Sequence, residues 1–158
     1  ASTAKGEKLA YALSNQSVLK VNASNGKASI IGCGKVTVTV KSAASKNYNK
    51  AKDKKVTVTV KPKKCSVKSV KSSKRKQITV KWARDSKASG YQISYADNKK
   101  FKKAQSVYVK SKKTIAKTVT KKLSPGKKYY VKVRAYKTVG KTKLYGSYSS
   151  VKSVRVKK

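Results

Sequence analysis

"LSPGKKYYVKVRAY", Leu123–Tyr136, contains both signals that decide the fold. Ser124, Pro125 and Gly126 form a turn signal, because Pro presets φ and Gly accepts a left-handed backbone. Beyond it the chain alternates. Val131, Val133 and Ala135 fall on one side, and Lys132, Arg134 and Tyr136 on the other. A period of two over such a run predicts a strand with one face buried and one wet. The same grammar extends outward along the chain. "ITVKW" sets Ile78, Val80 and Trp82 against Thr79 and Lys81, and "YQISY" sets Tyr91, Ile93 and Tyr95 against Gln92 and Ser94. The heptapeptide "KVTVTVK" occurs at Lys35–Lys41 and again at Lys55–Lys61, with valines on one face and threonines on the other. Turn signals separate these runs at Ser24–Gly26, Gly32–Gly34, Ala88–Gly90, Thr138–Lys143 and Tyr145–Ser147. Short strands rich in β-branched and aromatic residues at this spacing predict an all-β protein built of immunoglobulin-like sandwiches.

The 158 residues suffice for two small domains. "KPKKC", Lys61–Cys65, is the best boundary: Pro62 ends a strand and a lysine cluster follows. The expected domains are residues 1–61 and 62–158. Charge divides there too. The first carries 12 basic and two acidic residues, the second 31 and two. The total of +39 opposes compaction, favours solubility and attracts polyanions. Only Arg75, Arg84, Arg134 and Arg155 are arginine. The lysine excess points to diffuse attraction or solvation more than to a bidentate anion clamp. Cys33 and Cys65 are expected as two separate half-buried thiols rather than a bridge. No apolar run approaches the ~20 residues of a membrane-spanning helix.

Residues 64–158 resemble a fibronectin type III domain. Leu123, Pro125, Gly126, Tyr129, Val131, Val133 and Ala135 match the family pattern L-x-P-G-x-x-Y-x-V-x-V-x-A. Trp82 stands at the family's buried tryptophan, and "GSYSS", Gly146–Ser150, is similar to its G-x-W-S approach to the last strand. The resemblance implies structural roles for Trp82, Leu123, Pro125 and Tyr129, the last bonding its hydroxyl back to backbone. "SNQSVLKVNASNGKASIIGCGKVTVTV", Ser14–Val40, resembles a bacterial immunoglobulin-like domain of group 2. That family has further strand sequence before the Ser-Asn motif, whereas 13 residues precede Ser14 here. The first domain is therefore expected to lack its opening strand, through truncation in preference to strand donation by another chain. The resemblance implies an extracellular module of a secreted or surface protein. The lysine loading resembles versions on Gram-positive bacteria.

Catalytic chemistry finds little support. Histidine is absent, so no Ser-His-Asp or Cys-His arrangement exists. Glu7, Asp53, Asp85 and Asp97 are scattered, which disfavours acid–base pairs and calcium sites, and without histidine or a C-x-x-C there is no zinc pattern. No enzyme, cofactor, metal, small-molecule substrate or membrane insertion is expected. The functional expectation is a non-catalytic spacer, stalk or adhesion module, with neighbouring domains of a longer chain as partners. The alternative is a polyanion-binding module that tethers a larger protein through an anionic cell-wall polymer or glycan, such as teichoic acid. Nucleic-acid binding ranks third. The candidate basic surface comprises Lys99, Lys100, Lys102, Lys103, Lys121, Lys122, Lys127 and Lys128. Each of these lysines also suits a plainer role, solvating turns and blocking edge pairing. Among the ten tyrosines, Tyr91, Tyr95 and Tyr129 read as core, and Tyr136 and Tyr145 as a candidate ligand-facing pair.

Overall fold

A computed structural model describes residues 9–44 and 49–158. Glu7 and the middle of the link between the two heptapeptides lie outside the described residues. The chain divides into two compact units, 1–60 and 61–158, and every described element is a strand.

The first unit contains β1 (Leu9–Leu13), β2 (Leu19–Val21), β3 (Ala28–Ile30), β4 (Gly34–Ser42) and β5 (Lys54–Val60). β1, β4 and β5 form an antiparallel sheet in that order, and β2 and β3 form a separate ribbon. The two heptapeptides are direct neighbours, with Val36 opposite Val58 and Val38 opposite Val56. Opposed residues point to the same side, so the valines share one face and the threonines the other. Thr37 Oγ1 and Thr57 Oγ1 lie 3.4 Å apart on the threonine face. The valine face is only partly covered. Val18 and Leu19 bury Val36, and Leu13, Val21, Val38, Val58 and Val60 pack around that small core. Val56 remains 48% exposed, contrary to the expectation of inward valines along the whole strand. Its position on the pleat is correct, but it is not among the residues packed on the Val18, Leu19 and Val36 core. A strand also precedes Ser14: β1 occupies five of those 13 residues and pairs along β4 from Leu9↔Ser42 to Leu13↔Val38.

The second unit contains β6 (Val67–Lys71), β7 (Ile78–Trp82), β8 (Gly90–Ala96), β9 (Gln105–Val109), β10 (Ala116–Val119), β11 (Lys128–Val139), β12 (Thr142–Tyr145) and β13 (Lys152–Arg155). One sheet has the order β10-β7-β6, the other β12-β11-β8-β9. β13 also pairs with β11, continuing beside its first half where β12 lies beside its second. The inward residues of both sheets make one core, which includes Ile78, Val80, Trp82, Tyr91, Ile93, Tyr95, Val131, Val133 and Ala135. Trp82 and Tyr91 pack at 5.3 Å between centroids. Burying each of the valine and isoleucine side chains among them stabilises the unit by roughly 1.5–3 kcal/mol. The turn signals sit at left-handed backbone where Gly is favoured, at Gly26, Gly126 and Gly140.

The first and last strands of this unit run the same way. Lys152 Nζ near the start of β13 donates to the Lys68 carbonyl near the start of β6 at 3.0 Å. Lys157 N–H beyond the end of β13 donates to Ser72 Oγ beyond the end of β6, also at 3.0 Å. The chain therefore enters the sandwich at one end and leaves it at the other.

Cys33 and Cys65 are both buried and neither is in a disulfide. They are more enclosed than the half-buried state expected. Burial, with the nearby Asp85 carboxylate, pushes the Cys65 thiol up to about 11.

Candidate functional site

Two features of the second unit carry polar chemistry. They are a ladder on the outer face of the larger sheet and a basic cleft at one end.

The ladder begins with period-two strand geometry. Lys132, Arg134 and Tyr136 leave β11 on the side opposite the core, and Gln92 and Ser94 leave β8 on that same side, because Lys132 pairs with Ser94 and Arg134 with Gln92. Arg134 Nε donates to Gln92 Oε1 at 2.7 Å, and Gln92 Nε2 donates to Ser106 Oγ at 3.1 Å. The Arg134 guanidinium lies over the rings of Tyr145 (3.8 Å) and Tyr148 (4.4 Å). Lys132 Nζ lies over Phe101 (3.9 Å) and Tyr148 (4.4 Å). Lys143 Nζ stands 5.5 Å from the Tyr108 ring and 5.7 Å from that of Tyr136. Tyr148 Oη donates to Gln92 Oε1 at 3.3 Å. Cations and ring faces thus alternate across the sheet, an arrangement that suits a planar guanidinium.

This ladder explains two departures from the simple alternation. Gln92 and Ser94 sit on the supposedly wet face but are 6% and 4% exposed. β8 is an inner strand, and side chains from both neighbours close over it. Tyr136, expected to face a ligand, is 3% exposed and corrects that expectation. Its ring is enclosed edge-on by Tyr108 at 6.1 Å and tilted against Tyr145 at 6.1 Å. Tyr145 is half-buried, and its hydroxyl lies 3.1 Å from that of Tyr108. This hydrogen bond, together with burial, raises the Tyr108 phenol above its ordinary range, while Arg134 and Lys143 oppose the shift.

The second feature lies where two loops meet. The β8–β9 loop carries Lys99, Lys100, Lys102 and Lys103, and the β10–β11 loop carries Lys121 and Lys122. Of these, Lys102, Lys103 and Lys122 line a common cleft of about 280 Å³ with Asp97, Asn98 and Gln105. Lys99, Lys100 and Lys121 are exposed outside the lining. Lys127 and Lys128 at the start of β11 are exposed too, with Lys128 Nζ 5.7 Å from the Tyr130 ring.

The loop backbones are fixed by buried side chains. Tyr129 is 5% exposed; its hydroxyl donates to the Lys122 carbonyl at 3.1 Å and accepts from Ser124 N–H at 3.0 Å. Tyr95 Oη donates to the Lys121 carbonyl at 2.8 Å. Leu123, 6% exposed, anchors the same corner in the core, with Pro125 half-buried in the following turn. Trp82 is fully buried, and its Nε1 has no hydrogen-bond partner, a cost its packing must offset. On the other loop, Asn98 Oδ1 accepts Lys102 N–H at 2.9 Å while Asn98 Nδ2 donates to the Lys102 carbonyl at 3.0 Å. Phe101, Lys103 and Lys122 hold left-handed φ values of 53°, 52° and 53°, each costing a residue with a Cβ roughly 1–2 kcal/mol.

A family model described as "Fibronectin type III domain" matches residues 60–151. The chain belongs to the fibronectin type III family. Among solved structures, it is similar to the chicken CNTN1 FN1-FN3 domains, with a TM-score of 0.54 and 21% identity over 97% of this chain and 58% of that one. It thus spans less than two thirds of that relative. It is also similar to a two fibronectin type-III domain segment from chicken tenascin, with a TM-score of 0.57 and 16% identity over 95% of this chain and 82% of that one. At these identities the likeness shows fold: tandem all-β sandwiches. No curated protein matches the chain.

The sequence pointed to the clustered lysines and missed the ladder residues Phe101, Lys132, Arg134 and Lys143. A weak signal for them existed in the outward positions of β11 and the tyrosine of "GSYSS". Only the pairing of β8, β11 and β12 brings them together. Among the described residues no three His, Cys, Asp or Glu side chains cluster as metal ligands, and no helix is long and apolar enough to cross a membrane.

Proposed function

We propose that this chain is a non-catalytic extracellular spacer or adhesion module of a bacterial surface or secreted protein, with the first unit a bacterial immunoglobulin-like domain of group 2. The observation that carries the spacer reading is the parallel course of β6 and β13, seen in the Lys152–Lys68 and Lys157–Ser72 hydrogen bonds. A unit entered at one end and left at the other separates whatever precedes it from whatever follows. β11, at 12 residues, gives the second unit a long dimension of about 40 Å. Family membership supports a scaffold role, and the self-repulsion of a +39 chain favours solubility and monomers. The Gram-positive assignment rests on the lysine loading alone.

The test is cell-surface proteolysis followed by module exchange. Trypsin treatment of intact cells should release peptides of this chain, which is rich in lysine. Replacing it with an unrelated sandwich pair of equal length should preserve the reach of the neighbouring domain, and deleting it should shorten that reach. Peptides recovered only from the cytosolic fraction would overturn the reading, as would loss of a chemical activity on exchange.

A further inference from the structure

The basic cleft has chemistry that a spacer does not need. Lys102 and Lys103 come from the β8–β9 loop and Lys122 from the β10–β11 loop, yet all three line one space. Asp97 is the only carboxylate in the lining, and its Oδ1 accepts Asn98 Nδ2 at 3.1 Å. Among the described residues, none of these three lysines forms an ion pair, whereas Lys41 and Lys50 converge on Asp53. Asn98 holds the Lys102 backbone and Tyr129 the Lys122 carbonyl, and Gln105 Nε2 donates to the Lys103 carbonyl at 3.3 Å, so an incoming anion has little loop to order. Lys103 and Lys122 occupy left-handed positions that a turn alone would give to Gly or Asn. Long cations stand there instead.

We infer that this cleft binds tetrahedral oxyanion esters, phosphate or sulfate, carried in series on a sugar or polyol polymer. Three lysines attract such a group as point charges and need no planar fork. A series of esters suits the surroundings. Lys99, Lys100 and Lys121 flank the cleft, and the cation row of Lys132 and Arg134 begins at Phe101, the residue next to Lys102. Each further ester neutralised releases counterions and adds affinity. The same row argues against nucleic acid. Strand binders stack bases on open aromatic faces, and here Phe101, Tyr145 and Tyr148 already stack on Lys132 and Arg134.

The test measures binding of the full chain to poly(glycerol phosphate), to a heparin decasaccharide and to an oligothymidylate of equal charge, each across a salt series. Lys103→Gly with Lys122→Gly removes two cleft charges at positions where Gly relieves the backbone, so the fold should be retained. Lys102→Gln removes the third charge without touching a left-handed residue. Lys71→Gln with Lys81→Gln on the exposed face of the three-stranded sheet is the charge-matched control. The cleft double variant should bind at least one ester polymer roughly fivefold more weakly per lysine and lower the salt slope by about 0.7 per lysine. Lys102→Gln should follow the same trend, and the control should lose far less. Preference for the phosphate or the sulfate polymer identifies the source, and either supports the site. Equal losses in cleft and control variants would reduce the binding to diffuse charge and overturn it. Tighter binding of oligothymidylate than of both polymers would overturn the sugar or polyol assignment.

Discussion

Tyr129→Phe isolates the hydroxyl that holds the corner before β11. The ring remains in the core, so the change removes no apolar packing. Two hydrogen bonds are lost, one to the Lys122 carbonyl and one from Ser124 N–H. Each is worth about 1 kcal/mol net. Ser124 is exposed and its N–H regains water, so the expected cost is about 1–2 kcal/mol rather than more. Trp82 is the single tryptophan of the chain and is fully buried in the second unit, so its fluorescence reports that unit alone. With a urea slope of about 1 kcal/mol/M for a domain of this size, the midpoint should fall by about 1–2 M. Tyr95→Phe, which loses only the bond to the Lys121 carbonyl, should cost about half as much. Tyr130→Phe serves as control, since the Tyr130 hydroxyl makes no hydrogen bond among the described residues. A Tyr129→Phe midpoint equal to that of the parent, or a Tyr130→Phe loss of the same size, would refute the assignment of loop order to this hydroxyl.

Two further outcomes follow from burial. Val36→Thr places a hydroxyl at a site 1% exposed and should destabilise the first unit by about 1–3 kcal/mol. Val56→Thr, at a site 48% exposed, should stay within about 0.5 kcal/mol; amide exchange along β4 measures both, and equal effects would contradict the open valine face. In a Cys33→Ser background, alkylation of Cys65 should rise with pH toward about 11 in the folded chain. The unfolded thiol titrates at its ordinary value of 9.0, so the folded state holds its proton longer. That contribution to stability is complete below pH 9.0 and is lost as pH rises through about 11. An inflection at the unfolded value in the folded chain would disprove the burial of this thiol.

Much of the second unit was legible because its information is local. Period two identifies β7, β8 and β11, and Leu123, Pro125, Gly126 and Tyr129 specify a corner within seven residues. The basic cleft was half legible: the lysines are conspicuous, but which of them meet depends on two loops brought together by the sandwich. Lys122 joins Lys102 and Lys103, while Lys99 and Lys100, closer to them in sequence, do not line the cleft. The ladder was least legible. Alternation assigns Tyr136, Gln92 and Ser94 to the outer face, but cannot reveal that Tyr108, Arg134, Tyr145 and Tyr148 close over them.

The repeated heptapeptide shows this division within identical residues. By itself, "KVTVTVK" determines a strand in both copies, valines on one side and threonines on the other, because the pleat is a property of the backbone. Val36 and Val56 hold the same place in the two copies, yet one is 1% exposed and the other 48%. Val18 and Leu19 lie over the first, and no such cover extends to the second. Burial is set by what a chain brings from elsewhere to a face, and that was decided only by the tertiary structure.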